Sequence, residues 1–118
     1  MISPLPSFDV ALVLRVGGDV VYSHGDVDRA FPLASVTKPI VAWSVLVAVE
    51  RGLISLDNPA GPEGATVRHL LAHASGLPFE GRRPVAAPGK RRIYSNEGFD
   101  ILGEVVAEAS GMGVAQWV

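Results

Sequence analysis

"LASVTKPIVAW", Leu33 to Trp43, decides how the rest of the chain is read. Ser35 stands three residues before Lys38, at the mouth of a run that is otherwise oily. From Val36 to about Arg51 the apolar residues go nearly all the way round a helical projection, which predicts a helix buried on most sides. Pro39 falls in its first turn, where a missing N–H does least harm, and Gly52 ends it. On such a helix Ser35 and Lys38 share a face. A serine hydroxyl is a weak nucleophile near neutral pH and needs a neighbouring base, or a cation that eases its deprotonation. A desolvated lysine suits that task, because burial disfavours its charged form. The helix start adds N–H groups and a positive dipole end that favour a developing oxyanion. The same spacing also suits a capping serine with a lysine that snorkels to water, so the pair by itself leaves both readings open.

Working outward, "FDVALVLRV", "GGD" and "VVYSHG" read as a β-hairpin. Strands at about 8–16 and 20–23 flank a tight turn at Gly17-Gly18. Downstream of the long helix, "LISLDNPAGPEGA" is a loop punctuated by Asp57, Pro59, Gly61, Pro62 and Gly64. Thr66 is placed to cap a short helix, "VRHLLAH", that stops at Ser75-Gly76. A second irregular stretch covers about 77–92. A last helix is expected from about Glu97 to Ala109, with Phe99, Leu102, Val105, Val106 and Ala109 on one face and Gly111 as its stop. There is no internal repeat or low-complexity segment. A hairpin followed by helices, without βαβ alternation, is an α+β pattern. Two strands alone make a marginal sheet with open edges, so a sheet partner is expected from outside these residues.

The 118 residues fit one domain, and 48% hydrophobic with 19% charged residues favours a folded core over disorder. A net charge of -2 leaves no electrostatic footprint for nucleic acid or an acidic membrane. With no cysteine, disulfides and thiolate metal sites are excluded. The N-terminus, "MISPLPSFDV", lacks a basic region followed by an apolar one, and the oily run from Ile40 to Val49 is too short to span a bilayer. A cytoplasmic protein is the default expectation, although an exported mature form would read alike.

The second element with chemical content is "IYSNEGF", Tyr94-Ser95-Asn96, just before the last helix. A tyrosine acts as acid or base when a cation lowers its pKa, and an asparagine offers both a donor and an acceptor to a substrate amide. A surface turn followed by an asparagine helix cap is the alternative. Together, "ASVTK", "LISLDNP", "VRHLLAHASGLP" and "YSNEGFDILGEVVAEASG", in that order, resemble the N-terminal part of the serine β-lactamase and penicillin-binding protein superfamily. The nearest branch is that of class C β-lactamases, D-alanyl-D-alanine carboxypeptidases and related esterases. The resemblance runs from about Asp9 to Val118 and implies a partial β-lactamase/transpeptidase-like fold over residues 1–118, a hairpin plus helices.

By that resemblance Ser35 is the acylated nucleophile, and Lys38 and Tyr94 share the proton traffic. Asn96 binds the substrate amide and helps to hold Lys38, and the Ser35 N–H forms half of an oxyanion hole. The substrate is a small molecule or peptide with an amide or ester carbonyl, with no metal or organic cofactor implied, no nucleic acid and no membrane. β-Lactamase, peptidase and esterase are not separated. The family's third motif, Lys or His, then Thr or Ser, then Gly, has no counterpart, since Lys90 is followed by two arginines. Loss of one oxyanion donor costs about 10²–10³ in turnover. These residues alone are therefore expected to be inactive or nearly so, completed by further sequence, a complementary chain or a second copy. The alternative is a non-catalytic truncated homologue that binds a partner chain or a peptidoglycan-like ligand.

Other candidates carry less. His69 and His73 have i, i+4 helical spacing, but Leu70 follows His69 where a zinc protease needs glutamate, so they read as a scaffold pair on the helix. Ser75, in "HASGL", lacks the first glycine of a nucleophile elbow. Trp43 and Phe99 read as core, and Asp57 as an Asx-turn former. Arg82-Arg83 and Lys90-Arg91-Arg92 read as a solvated loop.

Overall fold

The computed structural model describes residues 8–117. They form two compact units, divided between Leu33 and Ala34.

The first unit is the hairpin. Strands β1 (Leu12–Val16) and β2 (Asp19–His24) pair antiparallel, from Leu12 opposite His24 to Val16 opposite Asp19. Gly17 and Gly18 take φ of 59° and 94°. That left-handed pair gives a two-residue turn whose twist matches the strands, as their sequence requires. The register slips between Leu14 and Arg15, where a bulge lets two residues face one. Every residue of both strands is exposed, the valines and leucines of the ribbon included. After the hairpin, Arg29 pairs with Asp9 at 2.6 Å and lies over the Phe31 ring.

The second unit is helical. A 3₁₀ turn, Ala34–Val36, leads into α1 (Thr37–Glu50), followed by α2 (Val67–Leu71), α3 (Asn96–Ser110) and α4 (Val114–Trp117). α1 and α2 both pack on α3, and α4 folds back on it. Val41 and Val45 of α1, Val67 and Leu70 of α2, and Phe99, Leu102 and Val106 of α3 make the core, with Leu77 closing it from the loop. Gly52 and Gly111 end α1 and α3 in the left-handed conformation that glycine adopts without strain. Among the described residues, no helix is long and apolar enough to cross a membrane.

Four expectations are corrected here. α1 is buried on one face, through Val41, Ser44, Val45 and Ala48, and not on most sides. Its opposite stripe, Ile40, Trp43 and Leu46, faces outward, and Trp43 is 72% exposed instead of core. The sequence is apolar all round, but the unit supplies a neighbour for one face only. His69 and His73 do not share a helix, because α2 stops at Leu71 and His73 turns left-handed with φ 55°. Asp57 does not form the loop's Asx turn. Its carboxylate takes the Arg68 guanidinium at 3.0 Å, while the Ser55 hydroxyl and the Asn58 side chain accept the loop's N–H groups.

Candidate active site

Each of the four candidate side chains is placed by a local backbone device. Ala34 sits at φ 46°, a left-handed conformation unusual for a residue with a Cβ, and swings the chain into the 3₁₀ turn that carries Ser35. Lys38 follows one turn later, on the first turn of α1, half-buried. Tyr94 and Asn96 flank Ser95, which is the N-cap of α3. The buried Ser95 hydroxyl accepts the Gly98 N–H at 3.0 Å, so the cap is Ser95 and Asn96 keeps its side chain free of that task.

The four meet. The Tyr94 phenol and the Ser35 hydroxyl share a hydrogen bond of 2.6 Å. The Lys38 ammonium donates to Asn96 Oδ1 at 2.6 Å and lies 3.4 Å from Ser35 Oγ. It also sits over the Tyr94 ring, 4.6 Å from the centroid, and 5.9 Å from that of Phe99. The Lys38 ammonium and then the Ser35 hydroxyl stabilise the Tyr94 phenolate and hold the phenol below its ordinary range, against a smaller opposing effect of burial. Residues 59 apart in sequence thus share one proton-transfer distance. Asn96 Oδ1 is taken by Lys38, which leaves its amide N–H₂ to donate elsewhere.

The chain matches the model of the beta-lactamase family over residues 7–118. The chain belongs to that family. A beta-lactamase of Mycobacterium bovis superposes with a TM-score of 0.78 at 54% identity, over 83% of this chain and 36% of the other. Penicillin-binding protein 4* of Bacillus subtilis is 26% identical over 94% of this chain and 35% of its own length. Esterase EstB of Burkholderia gladioli is 46% identical over 44% of this chain and 17% of its own. The chain therefore spans about a third or less of the relatives it matches. The α+β expectation, a hairpin and helices forming part of a β-lactamase-like fold, agrees with this likeness.

Sequence reasoning missed the residues that hold Tyr94. His73, buried at 8% exposure, stacks on the Tyr94 ring at 4.7 Å, and Phe79 flanks the same ring at 6.0 Å. Phe99, buried as expected, packs against His73 at 5.0 Å and so belongs to the site as well as the core. Arg82 is also more than a solvated loop residue. It reaches Glu97 and, through two nitrogens, Glu104, tying the 77–92 stretch to α3. The lone signal available was an arginine near a helix whose outer face carries glutamates. Ser75 is buried and its hydroxyl accepts the Leu77 N–H, a turn-forming contact.

Proposed function

We propose that Ser35, Lys38, Tyr94 and Asn96 are the catalytic centre of a serine hydrolase that works through an acyl-enzyme on an amide or ester carbonyl. The observation that carries the reading is the 2.6 Å contact between the Tyr94 phenol and the Ser35 hydroxyl, with the Lys38 ammonium beside both. Tyr94, its phenolate favoured by Lys38, accepts the Ser35 proton as Oγ attacks the carbonyl carbon. The resulting oxyanion takes the Ser35 N–H. As the tetrahedral adduct collapses, Tyr94 returns the proton to the leaving nitrogen or oxygen. A water then gives its proton to Tyr94 and attacks the ester on Ser35; as that adduct collapses, Tyr94 returns the proton to Ser35 Oγ, which restores the hydroxyl and frees the acid. Asn96 holds Lys38 through Oδ1 and offers its N–H₂ to the substrate amide. Lys38 keeps the charge that makes Tyr94 a usable base.

A second oxyanion donor, on a strand of a further segment or of a complementary chain, completes the hole in this reading. Without it turnover falls by about 10²–10³. The test is labelling with a fluorophosphonate or a fluorescent penicillin, followed by peptide mass spectrometry. The proposal expects an adduct on Ser35 that Ser35→Ala abolishes. Labelling that appears only after a second polypeptide is added supports completion by a partner. Reversible penicillin binding with no adduct under any condition refutes the hydrolase reading and favours a binding role.

A further inference from the structure

His73 has no part in the chemistry above, yet Tyr94 is built around it. Its carbonyl accepts the Ile93 N–H at 2.8 Å and its Nδ1 accepts the Ser95 N–H at 3.1 Å. Residues 93 and 95 alternate along the segment that leads into α3, so one residue grips the backbone on both sides of Tyr94. The imidazole then lies between two rings, Tyr94 at 4.7 Å and 27°, and Phe99 at 5.0 Å and 35°. The left-handed φ of 55° turns His73 away from α2 and into that slot. The neighbouring loop repeats the grip, since the Asn96 N–H donates to the Phe79 carbonyl at 2.9 Å.

We infer that neutral His73 is a positioning residue: it holds Tyr94-Ser95-Asn96 in the register that brings the Tyr94 phenol to Ser35, and its protonation releases them. The catalytic consequence rests on the serine-hydrolase reading; the positioning itself does not. An Nδ1 that accepts from Ser95 carries no proton, so the neutral ring holds its hydrogen on Nε2. Adding a proton to Nδ1 sets two donors face to face. The charged groups that face the ring are cations, Arg92 from the segment ahead of α3 and Lys38 from α1, and the Tyr94 phenol is the other titratable neighbour. Burial first, then Arg92, then Lys38, push the imidazole below its ordinary value of 6.5. The native state therefore binds fewer protons here than the unfolded chain. The grip is complete at neutral pH and is lost as pH falls through the depressed value.

The test combines two variants and two readouts on the full chain. His73→Asn keeps an acceptor and tolerates the left-handed backbone, but cannot titrate. His73→Ala removes the acceptor and the stack. NMR from about pH 8 to about pH 5 should show the proton of neutral His73 on Nε2, with the Ser95 amide and Tyr94 ring signals moving on the His73 titration curve. In His73→Asn the Ser95 amide should stay hydrogen-bonded and both titrations should vanish. The rate of Ser35 labelling by a fluorophosphonate should fall about 10²-fold in His73→Ala, recover in His73→Asn, and lose its acid limb there. Ser95 and Tyr94 signals indifferent to His73 protonation overturn the inference, as does an acid limb that persists in His73→Asn. A wild-type chain that is never labelled, with or without a completing polypeptide, refutes the hydrolase reading instead, and the NMR result still decides the role of His73.

Discussion

Gly76→Ala should cost far more than its size suggests, because the loop that positions Tyr94 doubles back at this residue. Gly76 has φ 88°, and an added Cβ would overlap the Ala86 carbonyl oxygen and lie 2.9 Å from its carbon. A residue with a Cβ in the left-handed region loses about 1–2 kcal/mol before any contact is counted. Backbone cannot step aside as a flexible side chain would. Relief means parting the strap closed by Val85 N–H to the Gly76 carbonyl at 2.9 Å and Gly89 N–H to the Ala74 carbonyl at 2.8 Å. Each such bond contributes about 1 kcal/mol net, so the total is about 3–4 kcal/mol. Gly64 provides the control, with a similar φ of 78° and nothing within 4 Å of its added Cβ. Gly64→Ala should therefore show the conformational cost alone, about 1–2 kcal/mol. Urea unfolding of both variants measures the difference through the midpoint at constant slope. Equal destabilisation of the two would refute the close-approach reasoning, whatever the absolute values.

Three further outcomes follow from the site. Lys38→Met should raise the Tyr94 titration midpoint toward the ordinary 10.0, read at the tyrosinate absorbance band in a Tyr22→Phe background, and no change would remove Lys38 as the cause. The sign for stability is set by the depressed folded value. Between that value and 10.0 the unfolded chain binds more protons, so wild-type stability should rise with pH across the window and the variant should lose that rise. Ser95→Ala removes the hydroxyl that accepts the Gly98 N–H and should cost about 1 kcal/mol in chemical denaturation; an unchanged midpoint would deny it the cap. Ala34→Gly relieves a left-handed alanine by about 1–2 kcal/mol and adds unfolded-state freedom worth about 0.4–1, so a net gain near 0.5 kcal/mol is expected. Ser35 labelling should slow in the same variant as its turn loosens.

Much of this was legible because local chemistry and tertiary placement agree. Gly17-Gly18 dictated the hairpin turn, Gly52 and Gly111 the helix ends, and Thr66 the start of α2, where His69 Nδ1 accepts the Thr66 N–H as a glutamate would in a capping box. Ser35 and Lys38 announce each other by helical spacing. Their meeting with Tyr94 and Asn96 came from the resemblance and not from periodicity, since no local rule joins residues 59 apart. The role of His73 was hidden for a different reason. Its i, i+4 spacing from His69 suggests a shared helix face, but the helix ends two residues early and the left-handed turn sends the ring elsewhere. Trp43 shows the converse failure: an apolar period predicts which residues seek cover, not whether a neighbour is at hand.

Among the described residues, the two non-glycine residues with positive φ, Ala34 and His73, are the ones that aim Ser35 and support Tyr94. Strain of this kind persists only where the surroundings over-determine it. The capping serine, the stacked rings and the paired N–H groups of 93 and 95 supply that constraint on the Tyr94 side. Geometry here is thus fixed by backbone and not by enclosure, because Ser35 is exposed and Tyr94 retains 39% of its surface. In such an open setting water screens the pull of Lys38 on the phenol. The same arrangement under a cover that excluded water would couple the two charges more strongly, which lowers the Tyr94 pKa, and desolvate the phenolate, which raises it, with no change in any distance. Position and reactivity are therefore separable in this site: the described residues set the first, and the degree of enclosure sets the second.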